Sequence, residues 1–180
     1  MQTNSLYTAG CIRTFSGEFI SVLEPKAVQV FVVDIAVGLS REMRFGGHTK
    51  KPYSVSEHSI WCADKAAELY PDNVSLPFKL LLHDAHEAYL KDIPSPVKSE
   101  LGDYKKLADL HQDVIHSRYG VRISNTDKEL IKQIDTMALE WEYEHKKLNW
   151  HGLELNDRAR IDLFINHFVK LCKVPFTIQP

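Results

Sequence analysis

Four residues in this 180-residue chain, in the order His58, His83, Asp84 and Asp135, carry side chains of the types that bind divalent metals. His83 and Asp84 follow the apolar run Phe78-Lys79-Leu80-Leu81-Leu82. Read as one helix, Leu80, His83, Asp84 and Glu87 fall at i, i+3, i+4 and i+7, so one face bears an imidazole and two carboxylates. Unpaired charge is costly to bury, so such a stripe needs a metal, partners or water. Two imidazoles and two carboxylates make a nitrogen and oxygen ligand set suited to Mn, Co, Fe, Zn or Mg, with room left for water.

Other predicted helices must bring His58 and Asp135 to the same place. The first runs from about Ser54 to Leu69. Ser54 and Glu57 have the S-x-x-E spacing of a capping box, and His58 shares an apolar stripe with Val55, Cys62, Ala66 and Leu69. The second runs from about Thr126 to Asn149, where Asp135 is four residues after Ile131 and three before Ala138 and therefore faces inward. Each residue also has a plainer reading. A lone His on an apolar face is commonly a hydrogen-bonded core residue, Asp135 can pair with a base, and Asp84 can be a surface residue. Their convergence on inward faces of three helices favours a single metal site.

These residues, with two longer stretches, resemble the HD-domain superfamily of metal-dependent phosphohydrolases. The stretches are Arg44-Phe45-Gly46-Gly47-His48-Thr49, leading to Tyr53 through Ser59, and Leu82-His83-Asp84-Ala85-His86-Glu87, continuing through Asp92-Ile93-Pro94-Ser95-Pro96 to Lys98. They are similar to the branch that contains bacterial 5′-deoxynucleotidases and related phage nucleotide hydrolases. The resemblance covers roughly 34–144. It implies an all-α helical bundle in which His58, His83, Asp84 and Asp135 hold one divalent ion. It also implies that Glu87 and Asp92 are the catalytic carboxylates and that Arg44 contacts phosphate, across a one-residue gap in the alignment. Phe45 stands where the resembling nucleotidases carry a Trp near the sugar, which departs from their pattern.

The chemistry suits those positions. A divalent ion with an open site polarises a phosphoryl oxygen and acidifies a bound water. Glu87 is placed to orient or deprotonate the attacking water, and Asp92, in a proline-bounded loop over Asp92 to Pro96, to protonate the leaving oxygen or order a second water, with geometry left to decide which carboxylate takes which role. Arg44 would grip phosphate with its planar fork. The plainer alternatives are a solvated helix residue for Glu87, a turn residue for Asp92 and a surface ion pair for Arg44. The expected function is hydrolysis of a nucleotide phosphoester, first of all a (deoxy)nucleoside 5′-monophosphate. The alternatives are a deoxynucleoside triphosphate triphosphohydrolase and a non-catalytic nucleotide-binding HD module. The resemblance leans toward a homodimer or larger homo-oligomer.

Composition is that of an ordinary globular protein, with 44% hydrophobic and 26% charged residues. A net charge of -2 argues against nucleic-acid polymers and anionic membranes as partners. Arg44, His48, Lys50 and Lys51 form a local basic cluster that suits a phosphorylated small molecule or a solvated loop. Cys11, Cys62 and Cys172 have no C-x-x-C spacing and suggest neither disulfides nor a zinc knuckle, with Cys62 in the core. No apolar run has the length of a membrane span and the N-terminus lacks a signal-peptide pattern, so the expected location is cytoplasmic.

Residues 1–180 are expected to form one domain. A β-hairpin spans about 11–22, turning at Ser16-Gly17, and the metal-binding core spans about 34–144. Helices are expected at about Val33 to Met43 and Tyr104 to Tyr119, and a last one at about 158–172, giving about six in all. Trp150-His151-Gly152 is expected to end the long helix. His111 and His116, five apart on one helix, point away from each other and do not suggest a second metal. His86 is a candidate for a supporting role. Trp61, Trp141 and the helical Tyr residues are expected to pack.

Overall fold

The computed structural model describes residues 8–145 and 156–177. Among them are a two-stranded antiparallel hairpin, β1 (Cys11–Arg13) and β2 (Phe19–Ser21), and eight α-helices: α1 (Val32–Arg41), α2 (Val55–Leu69), α3 (Leu76–Leu81), α4 (Glu87–Leu90), α5 (Ser95–Lys98), α6 (Tyr104–Arg118), α7 (Asn125–His145) and α8 (Asp157–Leu171). The expected all-α architecture with a small hairpin is therefore present, with more and shorter helices than the apolar periodicity suggested. Residues 150–152, expected to end α7, lie outside the described residues.

The hairpin pairs Ile12 with Ile20, and Gly17 takes a φ of 92° in its turn. Ile20 enters the core, while the buried Asp34 of α1 accepts from the Ser16 amide (2.7 Å) and hydroxyl (2.8 Å). The main core joins Ile35, Leu39, Val55, Ile60, Leu81, Leu82, Phe164 and Phe168, so α1, α2, α3 and α8 share one apolar interior. A smaller cluster of Cys62, Ala66, Leu76, Leu80, Ile134 and Ala138 locks α7 across α2 and α3. Those last contacts bring Asp135 over His58 near the start of α2 and His83 just past the end of α3.

Helix α2 begins as its sequence predicts. The Ser54 hydroxyl accepts from the Glu57 amide at 3.3 Å, and the Glu57 carboxylate accepts from the Ser54 amide at 2.9 Å. Arg160 of α8 donates to the same carboxylate at 3.0 Å, fixing the start of α2 against α8. At Gly38 an added Cβ would stand 2.8 Å from the Ala88 carbonyl oxygen. Only glycine lets α1 approach α4 this closely, and α4 opens with Glu87.

Two local expectations need correction. The chain does not continue as one helix from Phe78 through Glu87: α3 stops at Leu81, and Leu82 to His86 form successive turns before α4. Side chains take the carbonyls that helical pairing would use. His83 Nδ1 donates to the Leu80 carbonyl (2.7 Å) and Gln112 Nε2 to the Leu82 carbonyl (2.6 Å). The stretch read as an irregular proline loop also contains the helical turn α5, since Pro96 sits at its start, where a missing amide hydrogen costs nothing.

Candidate metal centre

The four sequence-selected ligands meet. His58 Nε2 lies 3.2 Å from His83 Nε2, 3.2 Å from Asp135 Oδ1 and 3.6 Å from Asp84 Oδ2. His83 Nε2 is 3.2 Å from Asp84 Oδ2 and 3.8 Å from Asp135 Oδ1. Ligands held about 2.0–2.2 Å from a tetrahedral ion stand roughly 3.3–3.6 Å from one another, so these separations fit a shared ion.

The opposite ring nitrogens fix the tautomers. His58 Nδ1 is 2.6 Å from the buried Glu142 Oε1, and His83 Nδ1 is 2.7 Å from the Leu80 carbonyl, which can only accept. Each neutral imidazole therefore carries its hydrogen on Nδ1 and turns the Nε2 lone pair inward. Two such lone pairs and two carboxylate oxygens then face one another, which repel unless a cation lies among them. Without a metal that cation is a proton: burial opposes charge on His83, but Asp84 and Asp135 hold its pKa well above the usual value. Burial likewise opposes ionisation of Asp84, yet His83 and His58 hold its carboxyl well below the usual carboxylate range.

Cys62, one turn after His58, was expected only to pack. With His58 and His83 it forms a buried group whose ligand atoms lie within 4.8 Å of one another and can hold a metal ion. Its sulfur is 3.7 Å from Nε2 and 3.9 Å from Nδ1 of His58, which sets it beside the ring face rather than along the Nε2 lone pair. Asp135 and Asp84 approach the His58 Nε2 more closely, at 3.2 and 3.6 Å, and nitrogen and oxygen atoms at these separations suit a shared ion.

Glu142 is the residue that the sequence reading missed. It lies seven residues after Asp135 on α7, two turns along the same face, and that spacing was the available signal. Fully buried, it accepts from His58 through Oε1 and, through Oε2, from Arg44 Nε (3.0 Å) and Nη2 (2.9 Å). Arg44 is thus neither a surface ion pair nor a guanidinium directed wholly at a ligand, since this buried carboxylate holds two of its nitrogens. Burial opposes ionisation of Glu142, but His58 and Arg44 keep its carboxyl below the usual range. Outer carboxylates of this kind orient ligating histidines, and losing one costs about 10–100-fold in metal affinity. Glu142→Gln is expected to weaken metal binding by that factor in a chelator competition assay. Glu142→Ala, which leaves the Arg44 charge buried without its partner, is expected to lower stability by about 3–5 kcal/mol in chemical denaturation.

A cavity of about 340 Å³ opens from the centre, lined among others by Arg44, Asp84, Glu87, Asp92, Lys98 and Asp135. Glu87 and Asp92 thus share a space with the two ligand carboxylates. Glu87 is buried rather than solvated, and burial, with Asp84 and Asp92, pushes its carboxyl up to about 9 against Lys98 and Arg44. Lys98 stands 3.6 Å from Glu87 Oε1. Burial also raises the pKa of Asp92. Asp92 follows Lys91, whose φ of 75° is strained for a non-glycine residue and turns the chain out of α4. The Lys91 carbonyl is held by the Tyr104 hydroxyl at 2.7 Å.

A raised carboxyl pKa means that the folded protein keeps a proton that the unfolded chain releases at lower pH. Stability then falls as pH climbs from the unfolded to the folded pKa. Metal-free protein is therefore expected to melt at progressively lower temperature from about pH 5 to about pH 9. Glu87→Gln is expected to flatten that slope in thermal scans, and an unchanged slope would rule out Glu87 as its source.

His111 and His116 make their hydrogen bonds away from this centre. His111 Nε2 donates to the Val22 carbonyl at 3.0 Å, tying α6 to the hairpin, and His116 lies 2.7 Å from Gln112. Trp61 stacks on Trp141 with centroids 5.5 Å apart, the packing role expected of them. Tyr143 is different: it is 54% exposed.

Fold and site together define a mainly helical protein with a buried His58, Cys62 and His83 group able to hold a metal. No protein-family model matches the chain. It is 34% identical over 139 residues to the uncharacterized protein RCAP_rcc00048 of Rhodobacter capsulatus, across 73% of this chain and 70% of that protein, and it belongs to that protein's family. It is also 39% identical over 110 residues to the uncharacterized protein YfdR of Escherichia coli K12, a match that covers 61% of this chain and 58% of YfdR. The chain thus spans less than two thirds of YfdR. Among the described residues no helix is long and apolar enough to cross a membrane.

Proposed function

We propose that this protein is a metal-dependent phosphohydrolase of the HD-domain type that cleaves a nucleotide phosphoester, with a (deoxy)nucleoside 5′-monophosphate as the first candidate. The observation that carries this reading is the convergence of the lone pairs of His58 and His83 with the carboxylates of Asp84 and Asp135, beside a cavity shared by Glu87 and Asp92. A bound divalent ion supplies Lewis-acid activation of water and of the phosphoryl group. Glu87, in its deprotonated form, orients and takes a proton from the attacking water. Asp92, held protonated more readily by its burial, gives a proton to the leaving oxygen. Arg44 and Lys98 place positive charge on the cavity wall where phosphate oxygens would gather.

The nucleotide part of the reading gains support from the neighbouring cavity. Of about 320 Å³, it is lined by Phe45, His48, Thr49, Pro94, Glu142 and Tyr143, and it shares Phe45 and Pro94 with the metal cavity. Phe45 and Gly46 both take left-handed backbone angles, with φ near 60°, a strained arrangement for Phe45. The Phe45 ring lies 5.6 Å from the guanidinium carbon of Arg44, which Glu142 fixes. An apolar, aromatic-walled space next to a phosphate-sized one suits a nucleoside leaving group.

The test is release of phosphate and nucleoside from a panel of deoxy- and ribonucleoside mono-, di- and triphosphates. Metal-stripped protein would be resupplied in turn with Mn, Co, Zn, Fe or Mg. Metal-dependent phosphate release from monophosphates supports the reading. Cleavage confined to triphosphates would replace it with a triphosphohydrolase. Metal uptake and nucleotide binding without turnover would make the chain a binding module.

A further inference from the structure

Gln112 on α6 occupies an unusual place. In a continuous helix the Leu82 carbonyl would accept from the His86 amide. Here the Gln112 side chain stands between those two groups: Nε2 donates to the Leu82 carbonyl at 2.6 Å, and Oε1 accepts from the His86 amide at 3.2 Å. The same oxygen accepts from His86 Nδ1 at 3.1 Å, and Nε2 also lies 2.7 Å from His116 Nε2. A carboxamide has two donor hydrogens and two acceptor lone pairs, and all four are in use. A backbone carbonyl on one side and a backbone amide on the other fix which end is nitrogen. The segment spanned by this bridge contains His83 and Asp84.

We propose that Gln112 is a positioning residue for the metal centre. It replaces the helical hydrogen bond between Leu82 and His86 and so holds the intervening turn, with His83 and Asp84 directed at His58 and Asp135. The inference rests on the metal reading above. Its physical basis is the cost of the alternative: if the bridge is lost, the His86 amide lacks a partner and the Leu82 carbonyl keeps only the Ala85 amide at 3.1 Å, and the His86 amide regains a partner most directly by pairing with that carbonyl as in a helix. That pairing turns His83 and Asp84 away from the geometry that lets both reach one ion. The cavity on the α6 side of the turn, of about 470 Å³ and lined in part by His83, His86 and Gln112, leaves room for the shift.

Gln112→Met keeps the length of the side chain and removes all four hydrogen bonds. Its Co²⁺ affinity, measured by chelator competition, is expected to fall by about 10–100-fold, as for other groups that orient metal ligands. The visible absorption of bound Co²⁺ is expected to change shape with the altered ligand geometry. In metal-free protein, hydrogen exchange across 82–88 is expected to accelerate while that of α2 and α8 stays the same. Lys106→Met, on an exposed part of the same helix, is expected to match the wild type throughout. Gln112→Glu keeps the acceptor for the His86 amide and loses the donor toward Leu82, and it serves if the methionine variant does not fold. Wild-type Co²⁺ affinity, or unchanged exchange across 82–88, in folded Gln112→Met overturns the proposal. If folded wild type takes up no Co²⁺, the metal reading itself fails, and the exchange measurement alone then decides whether Gln112 holds the turn.

Discussion

Asp84→Ala is expected to lose the metal and, with it, turnover. Asp84 Oδ2 is 3.2 Å from His83 Nε2 and 3.6 Å from His58 Nε2, so its removal takes one charged ligand from a four-ligand set. It also leaves the two inward lone pairs with a single carboxylate, Asp135, to balance a divalent ion. Loss of an outer partner costs about 10–100-fold in affinity, and loss of a direct anionic ligand is expected to exceed that range. Equilibrium dialysis followed by elemental analysis reads the metal, and phosphate release reads the activity. Full metal content and full activity in Asp84→Ala would end the assignment of this centre.

Glu87→Gln is expected to separate binding from chemistry. Glu87 lines the cavity next to Asp84 and Asp92, but it belongs to none of the close contacts among the four ligands. The amide keeps the shape of the side chain and cannot accept a proton from water. Metal content is expected to stay at the wild-type level while kcat falls by about 10²–10⁴-fold, the range supplied by a positioned acid or base. Near neutral pH the folded protein holds a proton on Glu87 that the unfolded chain releases, a cost that a neutral amide does not carry, so the variant is expected to melt at or above the wild-type temperature there. A Glu87→Gln protein that keeps the metal and full turnover would move the base to Asp92.

The contrast between these two variants bears on the alternative of a binding module. A nucleotide-binding protein with no catalytic role would tolerate Glu87→Gln with no loss of ligand affinity and no activity to lose. The catalytic alternative rests on the place of Glu87, buried on the wall of the cavity it shares with Asp84 and Asp92.

Much of the site could be read from residue order. His58, on the apolar stripe of a capped helix, is fully buried as hydrophobic periodicity directs, while Asp135, between Ile131 and Ala138, keeps 46% of its side chain exposed. The capping box at Ser54 was equally legible, because it is a contact between residues three apart. By contrast, the expected helix through His83 failed. Local sequence favours helix there, and the bonds that break it come from Gln112, far along the chain on α6. Propensity describes a segment's own preference and cannot register a competing donor delivered by packing.

By itself, then, the sequence determined the helical class, the hairpin at the N-terminus, the α2 start and the inward face of His58. These follow from short-range spacing and from the need to bury apolar stripes. Tertiary structure alone decided which further partners these residues would have: Glu142 behind His58, the Leu80 carbonyl behind His83, and Gln112 across the turn that contains His83 and Asp84. It also turned Arg44 toward Glu142, placed Cys62 against the His58 ring and opened an aromatic cavity beside the metal cavity. These outcomes depend on side chains up to 98 positions apart meeting in a low-dielectric interior, where an unpaired polar group is costly and each buried donor or acceptor is satisfied by whichever partner the packing brings.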